Sequence, residues 1–167
     1  DDNGHGTHVA GIIAAQGNNG IGMIGVAPNA QIMAIKAGQS SGSLLSTDVS
    51  EGILYAYQQG ADIINMSFGG GGRTVLTEEA LAVAFSNAVL IAAAGNDGKP
   101  NQVCGDLPYQ DFYPAAYPYV LGVMAEAEFV NPSTGDWLTG FSNLDCVAKN
   151  GLEYEVMAPG GDILSTI

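Results

Sequence analysis

Basic residues are scarce in this chain. Four lysines and arginines stand against seventeen aspartates and glutamates, for a net charge of −13. Nucleic acids and anionic lipid surfaces are gripped through basic patches, so neither is an expected partner. The same negative excess keeps copies of a soluble protein apart. Long apolar runs are also missing. None approaches the roughly 20 residues that cross a bilayer, and no membrane insertion is expected. Cysteine is limited to Cys104 and Cys146. They form no CxxC pair, which argues against a zinc knuckle or a thioredoxin-type motif and leaves two buried thiols or one disulfide. Internal repeats, low-complexity tracts and linkers are absent from the sequence. Apolar side chains are plentiful, at 47 % of 167 residues, enough for one globular domain with its own core.

The apolar residues fall into short blocks. Residues 31–37 (QIMAIKA), 61–68 (ADIINMSF), 89–96 (VLIAAAGN) and 119–127 (YVLGVMAEA) read as strands, and EYEVMAPGGDILSTI reads as a strand running into a turn. Helices are predicted at the opening segment, over 46–60 and over 76–88. Ser46 or Thr47 caps the second, Asp48 and Glu51 favour its positive end, and Gly60 stops it; Thr77 caps the third. The strands are continuously apolar rather than alternating, which predicts burial on both faces. The fold class is therefore α/β, a three-layer arrangement with a mainly parallel sheet flanked by helices. Residues 17–30 are a Gly- and Asn-rich loop, 99–118 a long loop rich in Pro and Tyr, and 128–141 a hairpin around Pro132-Ser133-Thr134-Gly135.

Four stretches could carry chemistry. GQSSG, residues 38–42, fits the nucleophile-elbow pattern between a strand and a helix. That pattern needs its histidine after the serine, and both histidines here precede Ser40, so it reads as a Gly/Ser loop. His5 and His8 lie three apart and would share a helix face. A catalytic zinc needs a third protein ligand; Asp1 or Asp2 could serve, but His5 is followed by Gly6 rather than the glutamate of an H-E-x-x-H motif, which argues against a metal site. A plain helix start would explain Asp2 and Asn3 as caps, but not the small residues around His5. AAAGND, residues 92–97, ends a buried strand in Gly95-Asn96, at the carboxyl edge where α/β sites assemble. An asparagine there can aim its N–H at a developing negative charge. NMSFGGGG, residues 65–72, lacks the lysine of a phosphate loop but exposes backbone onto which an extended peptide could pair.

Taken in order, GHGTHVAG (4–11), GVAP (25–28), INMSFGG (64–70), AAAGN (92–96), YPAAYP (113–118) and VMAPG (156–160) resemble the subtilisin-like serine proteases, the subtilases, from the first residue to the last. The resemblance implies that His5 is the general base and Asn96 the oxyanion donor. His8 matches a structural position, packed and hydrogen-bonded rather than catalytic. Ser67-Phe68-Gly69 and Gly42-Ser43-Leu44 match the two backbone edges that sandwich the substrate, and Asn3 sits beside the base. Ala94-Gly95 and the stretch before Tyr113 match the walls of the pocket for the side chain preceding the cut bond. Most relatives carry glycine just before the YP; here it is Phe112, and pointing inward it would make that pocket shallow and selective for small side chains. Tyr113-Pro114 matches a cis peptide bond.

Further implications follow from the same resemblance. Gly17, Ile21 and Met23 carbonyls and the Asn19 side chain match four ligands of a calcium loop. Calcium takes six to eight oxygens, so weak or no binding is expected here, with structural calcium a property of the full-length protein. No cofactor is needed for the chemistry. In kexin-like subtilases a disulfide joins closely similar loops, which implies a Cys104–Cys146 bond and a secreted or cell-surface setting. The family's aspartate falls before the histidine motif and its serine after the APG segment. Ser165 lacks the Gly-Thr neighbours of that serine. The 167 residues are thus expected to be the central part of a single catalytic domain, incomplete at both ends and inactive alone. The full-length parent is expected to cleave polypeptides. A pseudoprotease that grips peptides without cutting is the alternative. Apolar sheet faces left open are expected to drive self-association.

Overall fold

Four short apolar segments pair side by side into one parallel sheet in the order β1-β2-β3-β4: β1 (Ile63–Met66), β2 (Val89–Ala93), β3 (Leu121–Glu126) and β4 (Val156–Pro159). Among the described residues three helices accompany it, α1 (His5–Ala14), α2 (Ser46–Gln58) and α3 (Val75–Ala84). The computed structural model describes residues 1–97, 111–127, 139, 141–143 and 156–166. The turn expected at 132–135 and both cysteines lie outside these residues. The class is the α/β one expected, a parallel sheet flanked by helices.

The core gathers on one face of the sheet. Ile64 and Met66 of β1 and Leu90 and Ala92 of β2 are buried with Val49, Ile53 and Ala56 of α2 and Ala80, Leu81 and Ala84 of α3. The packed α2–α3 pair supplies this layer. On the opposite face Ile63 is 60 % and Val89 53 % exposed, and these two are direct neighbours in the ladder. The expected burial of both faces therefore fails at Ile63 and Val89, while Ile91 and Ala93, further along the same face of β2, are half-buried.

Three local expectations also change. Residues 31–37 form no strand, and Ile32, Met33 and Ile35 stay exposed. A strand exists only with a ladder partner, and none pairs with this segment among the described residues. Leu45, not Ser46 or Thr47, holds the N-cap position of α2, with no side-chain cap; Gly60 does follow its end, at φ 78°. The cap of α3 is Thr74, whose hydroxyl accepts from Thr77 N. Thr77 sits inside the helix, and its buried hydroxyl lies 3.1 Å from Ser50 Oγ of α2. Tyr117 OH extends this chain of hydroxyls, donating to Thr74 O at 2.8 Å and accepting from Thr74 N at 2.9 Å. Each buried hydroxyl thereby has a partner, which is the condition for carrying polar atoms in a core without loss.

Candidate active site

The chain enters α1 through Gly4, whose φ of 88° lies in the left-handed region that favours glycine. One carboxylate organises this entry. Asp1 accepts from the backbone N–H of Asn3 (3.1 Å), Gly4 (3.1 Å) and Thr7 (2.7 Å) and from Thr7 Oγ1 (3.0 Å). Asp1 therefore satisfies the open end of the helix, the task a plain helix start assigns to Asp2 and Asn3. Asp2 instead pairs with Lys36 at 2.8 Å, and that hydrogen bond holds its carboxyl below the usual carboxylate range. Lys36 Nζ also donates to Gly38 O at 2.7 Å, while Asn3 Nδ2 reaches Ser40 O at 3.4 Å. The start of α1 is thus tied to the loop that carries Gly42, Ser43 and Leu44. That loop closes on itself through a Gly38–Leu44 antiparallel bridge, with Leu44 packed on the core and Gly42 and Ser43 exposed.

From the same helix end, the exposed His5 crosses to the other side, where its Nε2 lies 2.7 Å from Ser67 O. A carbonyl only accepts, so Nε2 carries the hydrogen in this arrangement. Nδ1 of a neutral ring is then the acceptor, and it has no hydrogen-bond partner among the described residues. A base working through Nε2 needs the opposite tautomer, which a carboxylate on Nδ1–H imposes.

Ser67, Phe68 and Gly69 follow β1, and Ala94, Gly95 and Asn96 follow β2. Because β1 and β2 are adjacent and parallel, both segments emerge at the same carboxyl edge. The Phe112 ring lies between them. A methyl group added at Gly69 would overlap the ring, and one at Gly95 would come within 2.8 Å of it. The ring's backbone is fixed by a two-bond bridge, Tyr113 N donating to Gly70 O (2.8 Å) and Gly70 N to Tyr113 O (2.9 Å). Phe112 is half-buried and packs on the core. Tyr113–Pro114 is cis. Burial, and the hydrogen bond from its hydroxyl to Asp111 Oδ2 at 2.9 Å, push the Tyr113 phenol up to about 12.

Ala94 is buried, with its N–H donating to Val123 O at 2.9 Å. Asn96 is exposed at the bend beyond it, and its side chain makes no hydrogen bond among the described residues. An amide so placed can donate to an oxyanion in the gap between the two edges.

The subtilase family model matches residues 1–167. The chain belongs to the subtilase family. It is 41 % identical over 169 residues to Subtilisin DY of Bacillus licheniformis, covering 99 % of this chain and 54 % of that protein. The major intracellular serine protease of Bacillus subtilis (strain 168) is 41 % identical, with 100 % of this chain and 48 % of that protein covered. Among solved structures, Sphericase superposes with a TM-score of 0.84 at 33 % identity, over 99 % of this chain and 55 % of that one. This subtilase chain spans about half the length of these relatives. The three-layer α/β fold is shared with them, and the family is one of serine endopeptidases. One relative is named as intracellular, so membership leaves the compartment open.

Other assigned positions of this subtilase chain fare unevenly. His8 is half-buried, but its imidazole makes no hydrogen bond among the described residues, against the expectation of a bonded side chain. Its backbone carbonyl, not its ring, accepts from Ser165 Oγ. Ser165 thereby packs against α1 at Gly11 rather than at His5. In the loop of Gly17, Asn19, Ile21 and Met23, Asn19 Oδ1 already accepts Ile21 N–H at 3.0 Å. All four donors are neutral, and no cluster of three or more His, Cys, Asp or Glu fit for a metal occurs among the described residues. These residues by themselves do not fit calcium's demand for six to eight oxygens.

Two groups that hold the candidate site in shape escaped the sequence reading. Asp1, the helix-end carboxylate, is one; an acidic residue a turn ahead of a helix was a readable signal. The other is Asn143, which bonds around the Gly95–Asn96 bend and is taken up below. No local pattern marks it.

Proposed function

We propose that the full-length protein carrying this chain is a serine endopeptidase. His5 is its general base and Asn96 its oxyanion donor, while the aspartate and serine of the triad come from outside these 167 residues. The supporting observation is the meeting of His5, the Ser67–Gly69 edge, the Gly42–Leu44 loop and Asn96 at one sheet edge. An extended peptide pairs with the two backbone edges. The serine hydroxyl attacks the scissile carbonyl as His5 takes its proton, forming the C–O bond and a tetrahedral oxyanion that Asn96 Nδ2 stabilises. His5 then gives that proton to the amine as the C–N bond breaks, and water repeats the cycle on the acyl ester. No cofactor enters these steps.

The test is covalent labelling. A fluorophosphonate probe is expected to label the full-length protein and not the isolated 167-residue chain, which contains no serine in the Gly-Thr-Ser setting. Labelling of the isolated chain would overturn the assignment. Peptide binding by the full-length protein without labelling or turnover would favour the pseudoprotease alternative.

Phe112 sets the size of side chain accepted before the cut bond. Its ring fills the gap between Gly69 and Gly95, so small residues such as alanine and glycine are favoured. With Phe112→Gly in the full-length protein, kcat/KM for phenylalanine or leucine at that position should rise about 10- to 100-fold relative to alanine. An unchanged ratio in a peptide series would sink this reading. The 167 residues are one part of a single catalytic domain, secreted or on the cell surface. Calcium, where bound, is held structurally with ligands beyond the four named. Isolated, the chain self-associates through the face bearing Ile63 and Val89, which a sedimentation experiment at micromolar concentration reads directly.

A further inference from the structure

Asn143 lies far along the chain from the bend after β2, yet it binds that bend at three points. Its Nδ2 donates to Ala94 O at 2.9 Å, and its Oδ1 accepts Asp97 N–H at 3.0 Å. Its own backbone N–H donates to Gly95 O at 3.0 Å. The three bonds bracket Asn96 on both sides, and among the described residues its side chain has no hydrogen-bond partner. The fit is close: a methyl group at Gly95, whose φ is 103°, would come within 2.5 Å of Asn143 Nδ2. Asn143 is itself anchored. The neighbouring Ser142 hydroxyl is 2 % exposed, donates to Asn143 O at 3.0 Å and accepts Ala125 N–H of β3 at 2.9 Å. Thr139 adds two contacts to Ala125 O at 3.3 Å.

We propose that Asn143 is a positioning residue for Asn96: its amide splints the Ala94–Asp97 backbone to β3, so that the Asn96 side chain is preset where negative charge develops. The inference rests on the reading of Asn96 as oxyanion donor. A donor that is fixed before reaction costs no reorganisation at the transition state, and misplacement on the scale of 1 Å removes much of its effect. Asn143 touches no substrate in this scheme. Its contribution passes through Asn96.

The experiment is a double-mutant cycle in the full-length protein, read as kcat and KM on a peptide substrate. Asn143→Ala should lower kcat about 10- to 100-fold with KM within about twofold, and should change kcat little when Asn96 is already alanine. Asn143→Asp should behave similarly, because a carboxylate cannot donate to Ala94 O; it also serves if the alanine variant fails to fold. A loss of equal size in both backgrounds, or an unchanged kcat in folded Asn143→Asp, would overturn the inference while leaving the protease reading intact. A wild-type protein without turnover would overturn both.

Discussion

Replacing His5 by alanine in the full-length protein should reduce kcat by about a million-fold, a magnitude taken from the matching histidine of subtilisin itself, with little change in KM. The large figure follows from what a base does. Serine at neutral pH is a poor nucleophile, and the leaving amine departs only when protonated; one imidazole performs both transfers. The other histidine of this chain is not placed to substitute for it. His8 is one turn further along α1, half-buried, and its segment is fastened through Ser165 to the stretch after β4. Asn3 carries no titratable proton. Active-site titration alongside steady-state kinetics would separate a silent site from an unfolded one, and retention of more than a tenth of wild-type kcat would remove His5 from the mechanism.

The second large effect is expected at Asn96. Asn96→Ala should cost about 10²–10³-fold in kcat, again the magnitude known for the corresponding asparagine of subtilisin itself. The loss should fall on kcat and spare KM, because the interaction exists only once the carbonyl oxygen carries charge. Asn96→Asp should be no better, since it replaces a donor by an anion facing an anion. Equal losses in kcat and substrate affinity would mean instead that Asn96 shapes the cleft in the ground state. The site favours the first outcome: Asn96 is exposed and its side chain makes no hydrogen bond among the described residues, whereas Ala94 behind it is buried.

Much of this arrangement is legible in the sequence, because its signals are local. The apolar blocks at 61–68, 89–96 and 119–127 became β1, β2 and β3, and the helices over 46–60 and 76–88 became α2 and α3. Local signals failed where a partner decides. QIMAIKA has strand composition but no described neighbour to pair with, and Thr77 looks like a cap although its hydroxyl turns to Ser50 across the α2–α3 contact. At the candidate site, the closeness of His5, Ser67, Gly95 and Asn96 at one sheet edge was implied by the motif order, and that of Phe112 by a large residue where glycine is usual. Asn143 was not. Its side-chain bonds join residues 46 and 49 positions apart, and a lone asparagine after Phe-Ser carries no pattern that announces such a bridge.

The fastening of α1 bears on how fast its base can act. Asp1 holds the first turn, and the far end is strapped down by Gly25 N to Ala15 O (2.9 Å), Val26 N to Ile12 O (2.9 Å) and Ala27 N to Ile13 O (2.8 Å). A methyl group at Gly25 would come within 2.5 Å of Ala14 N and Ala15 N, so the strap lies directly on the helix. The backbone beneath His5 is therefore a fixed mount. Swinging the imidazole away from Ser67 O requires turning only its two side-chain torsions, and an exposed ring turns in picoseconds to nanoseconds. Turnover at the roughly 1–10³ per second usual for enzymes is slower by orders of magnitude. On the proposed role of His5 as the base, a ring as exposed as it is in this chain reorients many times within one turnover, and its repositioning sets no kinetic limit.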